Sequence, residues 1–281
     1  MLNGWILSLL LFLPVFSAEN ESALLQKGLD LEAEGQYEQA LQTWASAYTE
    51  LDSPSFAIGR EYIRLATEHG LREHYEAAYA IYDWGLTAQP KDANHETLLQ
   101  EVAMIKPLME QHTAERFRML ADSRDPAIYN ELKAFWQQRD PTPSSRYNER
   151  LLEHWERIAY AREHFNRNDE PTYGTDDRGI EYVRFGEPDR KSSGTLNLLP
   201  AEIETECGIF PKCNPEMMRE IVMSLDTNPA YEIWSYDKPS DDMEHNLVLI
   251  FGDKASGSFQ RVDVIEDLIP RRAFSVNDKR Y

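Results

Sequence analysis

The sequence predicts an α+β protein in which α-helical hairpins come first and a helix pair packed on a mostly antiparallel β-sheet follows. Three observations carry this expectation. Apolar residues recur at helical spacing from Ser22 to Phe165, polar turns cut that pattern into short hairpins, and beyond Gly174 the period changes to two. Strands gathered at one end of a chain, rather than alternating with helices, argue for an antiparallel sheet and against βαβ units. The length of 281 residues suits two domains.

The chain opens on residues 1–18, which carry no charged side chain and hold the apolar run Trp5-Ile6-Leu7-Ser8-Leu9-Leu10-Leu11-Phe12-Leu13 before Pro14. A run of about a dozen apolar residues matches the core of a signal peptide and falls short of the roughly 20 that span a bilayer. Cleavage after Ser17 places Val15 two residues before it, whereas cleavage after Ala18 would put bulky Phe16 in that position. The expectation is therefore an exported protein, periplasmic or extracellular, with no transmembrane domain after signal removal and a membrane anchor if the signal is retained. No Cys lies near the cleavage point, which argues against a lipoprotein.

Residues 19–122 read as a helical domain. Leu24, Leu25, Gly28 and Leu31 share one helix face, Glu34-Gly35-Gln36 breaks it, and Tyr37, Ala40, Leu41, Trp44, Ala47 and Tyr48 form the returning helix, which Pro54 ends. Small Gly28, Ala40 and Ala47 let two helices approach closely while Trp44 fills the space beside them. A second copy follows, with Ala66, Ala78, Tyr82, Gly85 and Pro90 echoing the first at a spacing of about 38 residues, against an ideal of 34. The pattern resembles tetratricopeptide (TPR) repeats. A third apolar hairpin over 94–120 lacks the small residues and reads as a cap.

Residues 123–281 form the second expected domain, opening at the polar turn Asp122-Ser123-Arg124-Asp125-Pro126. Helices are expected near 127–138 and 147–165. Strands are expected at Ile180-Glu181-Tyr182-Val183-Arg184-Phe185, Tyr231-Glu232-Ile233-Trp234-Ser235-Tyr236, Leu247-Val248-Leu249-Ile250-Phe251 and Phe259-Gln260-Arg261-Val262-Asp263-Val264. Between them, 191–226 reads as a long insertion with a helix near 216–225. It holds Cys207 and Cys213, and an even count at short spacing in an exported protein reads as one disulfide, worth about 2 kcal/mol for so small a loop.

Within this half, Phe135-Trp136-Gln137-Gln138-Arg139-Asp140-Pro141-Thr142-Pro143, Tyr147-Asn148-Glu149 and Trp155-Glu156-Arg157-Ile158-Ala159-Tyr160-Ala161 precede two further blocks. These are Asp177-Arg178-Gly179 through Gly186-Glu187-Pro188-Asp189, and Tyr231-Glu232-Ile233-Trp234-Ser235-Tyr236. In this order the blocks resemble the GWxTD family, over about 125–281. Where that family carries Gly-Trp-x-Thr-Asp, this chain has Tyr173-Gly174-Thr175-Asp176-Asp177, without the Trp. The resemblance implies a bacterial exported protein; the family has no established biochemical activity.

Lys and Arg number 29 against 49 Asp and Glu, a formal charge of −20, which repels phosphate backbones and makes nucleic acid a poor partner. The candidate polar cluster comprises Arg139, Asp140, Asn148, Glu149, Arg157, Asp177 and Arg178, charged or polar groups in turns and helix starts beside aromatic strands. Two readings of it compete: a packed network of caps and ion pairs, or a solvent-filled cleft of acidic and arginine groups suited to hydrolysis. The chain has no G-x-S-x-G, H-E-x-x-H, Walker loop or dinucleotide fingerprint, and His154 and His164 have no partner set in the sequence. Neither a cofactor nor a metal is expected. Stacked helical hairpins commonly receive a peptide or another protein's helix, so a protein or peptide partner is the leading expectation, with an envelope hydrolase as the alternative.

Overall fold

The computed structural model describes residues 15–88, 92–166, 172–196, 229–238, 245–253 and 257–268. The apolar run at 5–13, the cysteines Cys207 and Cys213, and the helix expected near 216–225 lie outside the described residues. The chain is α+β and divides into two compact units, Met1–Ala159 and Tyr160–Tyr281. The division falls within a helix, and the polar turn at 122–126, where the sequence suggests a boundary, lies inside the first unit. No helix among the described residues is long and apolar enough to cross a membrane.

The first unit is helical. α1 (Val15–Ala33) and α2 (Tyr37–Glu50) form one hairpin, α3 (Phe56–Glu68) and α4 (Tyr75–Gly85) a second, and α5 (Asp92–Ile105) and α6 (Gln111–Asp122) a third, followed by α7 (Ala127–Gln137) and α8 (Glu149–His164). Close approach decides the first hairpin. A Cβ on Gly28 would lie 2.0 Å from the Trp44 Nε1, so only glycine lets α1 pass over the indole. Trp44 is fully buried and donates its N–H to the Leu25 carbonyl at 3.3 Å. Burying such a ring between helices removes up to 250 Å² of mostly apolar surface from water, which is why one Trp beside one Gly specifies the pairing.

The second hairpin starts at Ser55, whose hydroxyl accepts the Ile58 N–H at 3.2 Å and so satisfies one of the free donors of the first turn. A buried polar knot then ties α3, α4 and α5 together. The Arg60 Nε donates to Glu101 at 3.2 Å, its Nη1 to Gln100 at 3.1 Å, and Tyr82 donates to the second Glu101 oxygen at 2.6 Å. Glu101 is fully buried. Burial pushes its carboxyl up, and the Arg60 charge and Tyr82 hydroxyl oppose that shift. Three helices are thereby held in one arrangement, because any slip leaves a carboxylate alone in apolar surroundings.

α8 buries Leu151, Leu152, Trp155 and Ile158 together with His154, which is 0% exposed. The His154 ring lies 5.2 Å from that of Trp136, and neither ring nitrogen has a hydrogen-bond partner among the described residues.

The second unit contains the end of α8, α9 (Asp177–Phe185) and a sheet of β1 (Arg190–Thr195), β2 (Ala230–Tyr236), β3 (Leu247–Asp253) and β4 (Phe259–Val262). The strands pair in sequence order, all antiparallel. Register sets Trp234 opposite Leu249 and Glu232 opposite Phe251, so one face carries a buried apolar layer with a single acid in it. On the other face the Leu268 side chain lies where a Cβ on Gly252 would sit, within 1.8 Å.

Two elements depart from expectation. The segment Ile180 to Phe185, read as a strand, is the body of α9. The strand reading rests on the spacing of its apolar residues, but the residues that α9 buries are Arg178, Gly179, Glu181 and Val183, two of them charged. Because burial here falls on Glu181 while Ile180 stays partly exposed, that spacing misreports the period. The second departure is β1, a strand of small and polar residues within the stretch read as an insertion. Lys191 and its neighbours carry almost no buried apolar side chains, so nothing in their pattern marks a strand.

The His154 environment has a measurable consequence. Burial, with Arg150 and Arg157 nearby, holds its imidazole well below its usual pKa, so the folded chain refuses a proton that the unfolded chain accepts. Above pH of about 6.5 neither state is protonated there; below it the unfolded state gains a proton and stability falls, by up to about 1.4 kcal/mol per pH unit. Urea unfolding at pH 8 and pH 5.5 is expected to show this loss in the wild type and a smaller one in His154→Leu.

Candidate functional site

The seven candidate polar residues are distributed over both units. Arg139, Asp140, Asn148, Glu149 and Arg157 belong to the first, Asp177 and Arg178 to the second.

In the first unit each has a local structural task. Asn148, 1% exposed, joins α7 to α8: its Nδ2 donates to the Trp136 carbonyl at 2.7 Å and its Oδ1 accepts the Leu151 N–H at 2.9 Å, capping the helix start. The Asp140 carboxylate accepts the Thr142 N–H at 3.0 Å, an Asx turn before the helix. The Thr142 hydroxyl in turn donates to Glu149. The Arg139 guanidinium carbon lies over the Phe135 ring, 3.8 Å from its centre, and burial lowers the guanidinium's pKa. Arg157 pairs with Glu153 one turn back on α8.

In the second unit Arg178 is the centre. It sits in the first turn of α9, only 7% exposed, and its guanidinium is shared between two acids. Nε and Nη2 reach the Asp176 carboxylate at 3.1 and 2.6 Å, and Nη1 donates to Glu232 of β2 at 2.8 Å. The Phe259 ring of β4 lies over the guanidinium at 3.8 Å. Planar, bidentate recognition of this kind suits arginine and no other cation.

The acids around it are themselves filled. Glu232 also accepts the Trp234 indole N–H at 2.9 Å and lies 3.1 Å from the Lys191 ammonium. Burial works against its charged form, but the Trp234 N–H, Lys191 and Arg178 outweigh that and hold its carboxyl below the usual range. Asp176 caps α9 by accepting the Arg178 N–H at 3.1 Å. Asp176 and Asp177 then take the Phe259 and Arg261 backbone N–H groups of β4, at 3.3 and 2.7 Å. Two adjacent carboxylates thus grip two alternate residues of the same edge strand. Glu181, one turn along, accepts Arg261 at 2.8 Å and Arg184 at 2.9 Å.

The G-x-P-D segment closes the same unit. Gly186 ends α9 with φ of 78°, which favours glycine, and its carbonyl accepts the Tyr236 hydroxyl at 3.0 Å. Asp189 accepts the Asp237 N–H at 2.7 Å. The Asp177-Arg178-Gly179 and Gly186-Glu187-Pro188-Asp189 segments therefore both contact β2 or the residue that follows it.

Sequence reasoning identified Arg178 and Asp177 but missed Asp176, Glu232, Glu181 and Arg261 as their partners. A signal existed for Glu232. It shares the inward face of β2 with Trp234 and Tyr236, and a carboxylate at an inward position requires a cation opposite.

Removing the guanidinium takes the paired cation from buried Asp176 and leaves Glu232 with Lys191. Arg178→Met is expected to cost about 3–5 kcal/mol in the unfolding of the second unit, read from the fluorescence of buried Trp234. Arg178→Lys is expected to recover only part of that, since one ammonium cannot make the paired contacts. Compared with known proteins, the chain matches no family model, no curated protein and no solved structure.

Proposed function

We propose that this chain is an exported scaffold protein of the bacterial envelope that binds another protein or a peptide through its helical hairpins, and that its C-terminal unit is of the GWxTD type. The observation that carries the proposal is the saturation of the polar cluster. A hydrolytic site holds acids and bases ready for a substrate, with solvent access and unfilled hydrogen-bonding capacity. Here Arg178 is buried under a phenyl ring with both acids engaged, Asp177 holds a backbone N–H, and Asn148 caps a helix. These groups serve to fix elements in place, which supports the scaffold over the hydrolase.

The GWxTD reading draws support from the way the resembling blocks meet. Arg178 reaches Glu232, Tyr236 reaches Gly186 and Asp189 reaches Asp237, so residues distant in sequence form one set of contacts. In the segment that stands where the family carries Gly-Trp-x-Thr-Asp, Tyr173 is 2% exposed and its carbonyl accepts the Arg162 Nε–H at 3.2 Å.

The binding surface is placed on α2 and α4. Tyr48 is 54% exposed and meets the half-buried Trp84 ring edge-on at 5.4 Å, an aromatic pair that spans two hairpins and opens to solvent at Tyr48. Aromatic side chains with an apolar body and a polar tip are the residue types that anchor protein interfaces.

Capture from envelope extract by the purified protein tests this. Proteins retained by the wild type should be lost with Tyr48→Lys and kept with Met119→Lys, a change at a more exposed apolar position on α6. Capture of nothing by the wild type, or equal capture by Tyr48→Lys, overturns the assignment. Export is checked separately by intact mass, which is expected to match a chain that begins at Ala18.

A further inference from the structure

We infer that Glu38, Glu73 and His74 form a transition-metal site, of the kind that takes zinc, which clamps the first helical hairpin to the second. Glu38 lies in the first turn of α2, while Glu73 and His74 lie in the 3-10 turn Arg72–His74 that leads into α4. One donor atom from each falls within 4.8 Å of the other two. The His74 Nε2 is 3.0 and 3.2 Å from the two Glu38 oxygens. Zinc holds nitrogen and carboxylate oxygen at about 2.0–2.2 Å in a tetrahedron, so its donors stand roughly 3.3 Å apart. The exposed Glu38 and Glu73 side chains reach that spacing by rotating about their own bonds.

Three features distinguish the cluster from a solvated group of surface acids. The first is the imidazole. Two carboxylates alone suit calcium or magnesium, whereas a nitrogen donor beside them selects zinc, copper or nickel. The second is its support. His74 is held from behind by the Tyr62 hydroxyl of α3, 3.0 Å from Nδ1, and Tyr62 is itself 2% exposed. A metal-binding histidine characteristically has its other nitrogen fixed by such a partner, which sets both ring orientation and tautomer. With an ion on Nε2, the Nδ1 carries the proton and donates it to the phenol oxygen.

The third feature is charge. The Glu38 and Glu73 carboxylates approach each other, and among the described residues no Lys or Arg is paired with either. A divalent ion relieves that repulsion. Three protein donors leave one position for water, and the ion would bridge α2 to the turn carried by α3 and α4. Spacing along the chain hides the site, since Glu38 and His74 are 36 residues apart and fit no short motif. The inference is independent of the partner-binding reading.

The test uses the full mature chain, stripped with a chelator and titrated with Zn²⁺ against a chromophoric competitor. The wild type is expected to take up one equivalent, to unfold at a higher temperature with the ion than without it, and to lose both effects in His74→Ala. Glu73→Gln, a change at an exposed position that the fold does not depend on, is expected to abolish tight binding as well. Tyr62→Phe is expected to weaken it by about tenfold, as loss of an outer-shell partner does. Co²⁺ in the same site should give visible bands of nitrogen and oxygen ligation without thiolate charge transfer. No stoichiometric uptake by the wild type overturns the site. So does uptake unchanged in both His74→Ala and Glu73→Gln, or uptake abolished by alkylating Cys207 and Cys213.

Discussion

The second unit depends on one guanidinium. Arg178 stands where a short helix, an edge strand and a central strand converge, and among the described residues it is the one side chain hydrogen-bonded to Asp176 and Glu232 together. Asp176 is 1% exposed and pairs with this guanidinium, while Glu232, opposite Phe251 and beside Trp234 in the apolar layer, divides its charge between Arg178 and Lys191. The arrangement selects geometry more than it adds stability. A buried ion pair gains little over well-packed apolar residues, yet its bidentate fork admits one relative placement of α9 and β2. Asp177 and Glu181 extend the same logic by engaging β4 at Arg261 from two successive turns.

The first unit solves the analogous problem with shape. Gly28 against Trp44 fixes how α1 crosses α2, and the Arg60, Glu101 and Tyr82 knot does for α3, α4 and α5 what Arg178 does elsewhere. At the periphery, ion pairs such as Arg116 with Glu131 are largely exposed and contribute little. Arg64 is different. It gathers Glu32, Glu61 and Glu68 around one partly buried guanidinium, and so joins α1 to α3.

The helices were legible because their apolar spacing runs over many residues and their breaks carry Gly and Pro, as at Gly35 and Pro54. Strands β2 to β4 were legible for the same reason at period two. α9 was not, because its buried positions hold Arg178 and Glu181, and hydrophobic periodicity sees charged residues as solvent-facing. β1 was hidden by its polar composition. At the candidate site, Arg178 and Asp177 could be read from a motif, but their partners sit 54 and 84 positions away, a distance that no local pattern encodes. The role of Asn148 as a cap was open to inspection, since Asn before a helical run is the residue that accepts the first free N–H groups.

Those long separations bear on how the chain acquires its structure during synthesis. The hairpins of the first unit close between neighbours and can form as soon as each pair of helices exists. α9 has no such option: its anchoring contacts are with Glu232, Phe259 and Arg261, near the other end of the polypeptide. Closing loops of that length is slow compared with closing a hairpin; the Glu232 contact must wait for β2 to leave the ribosome, and the Phe259 and Arg261 contacts for β4. Until then Asp177 remains hydrated, and the second unit stays incomplete behind an already folded start.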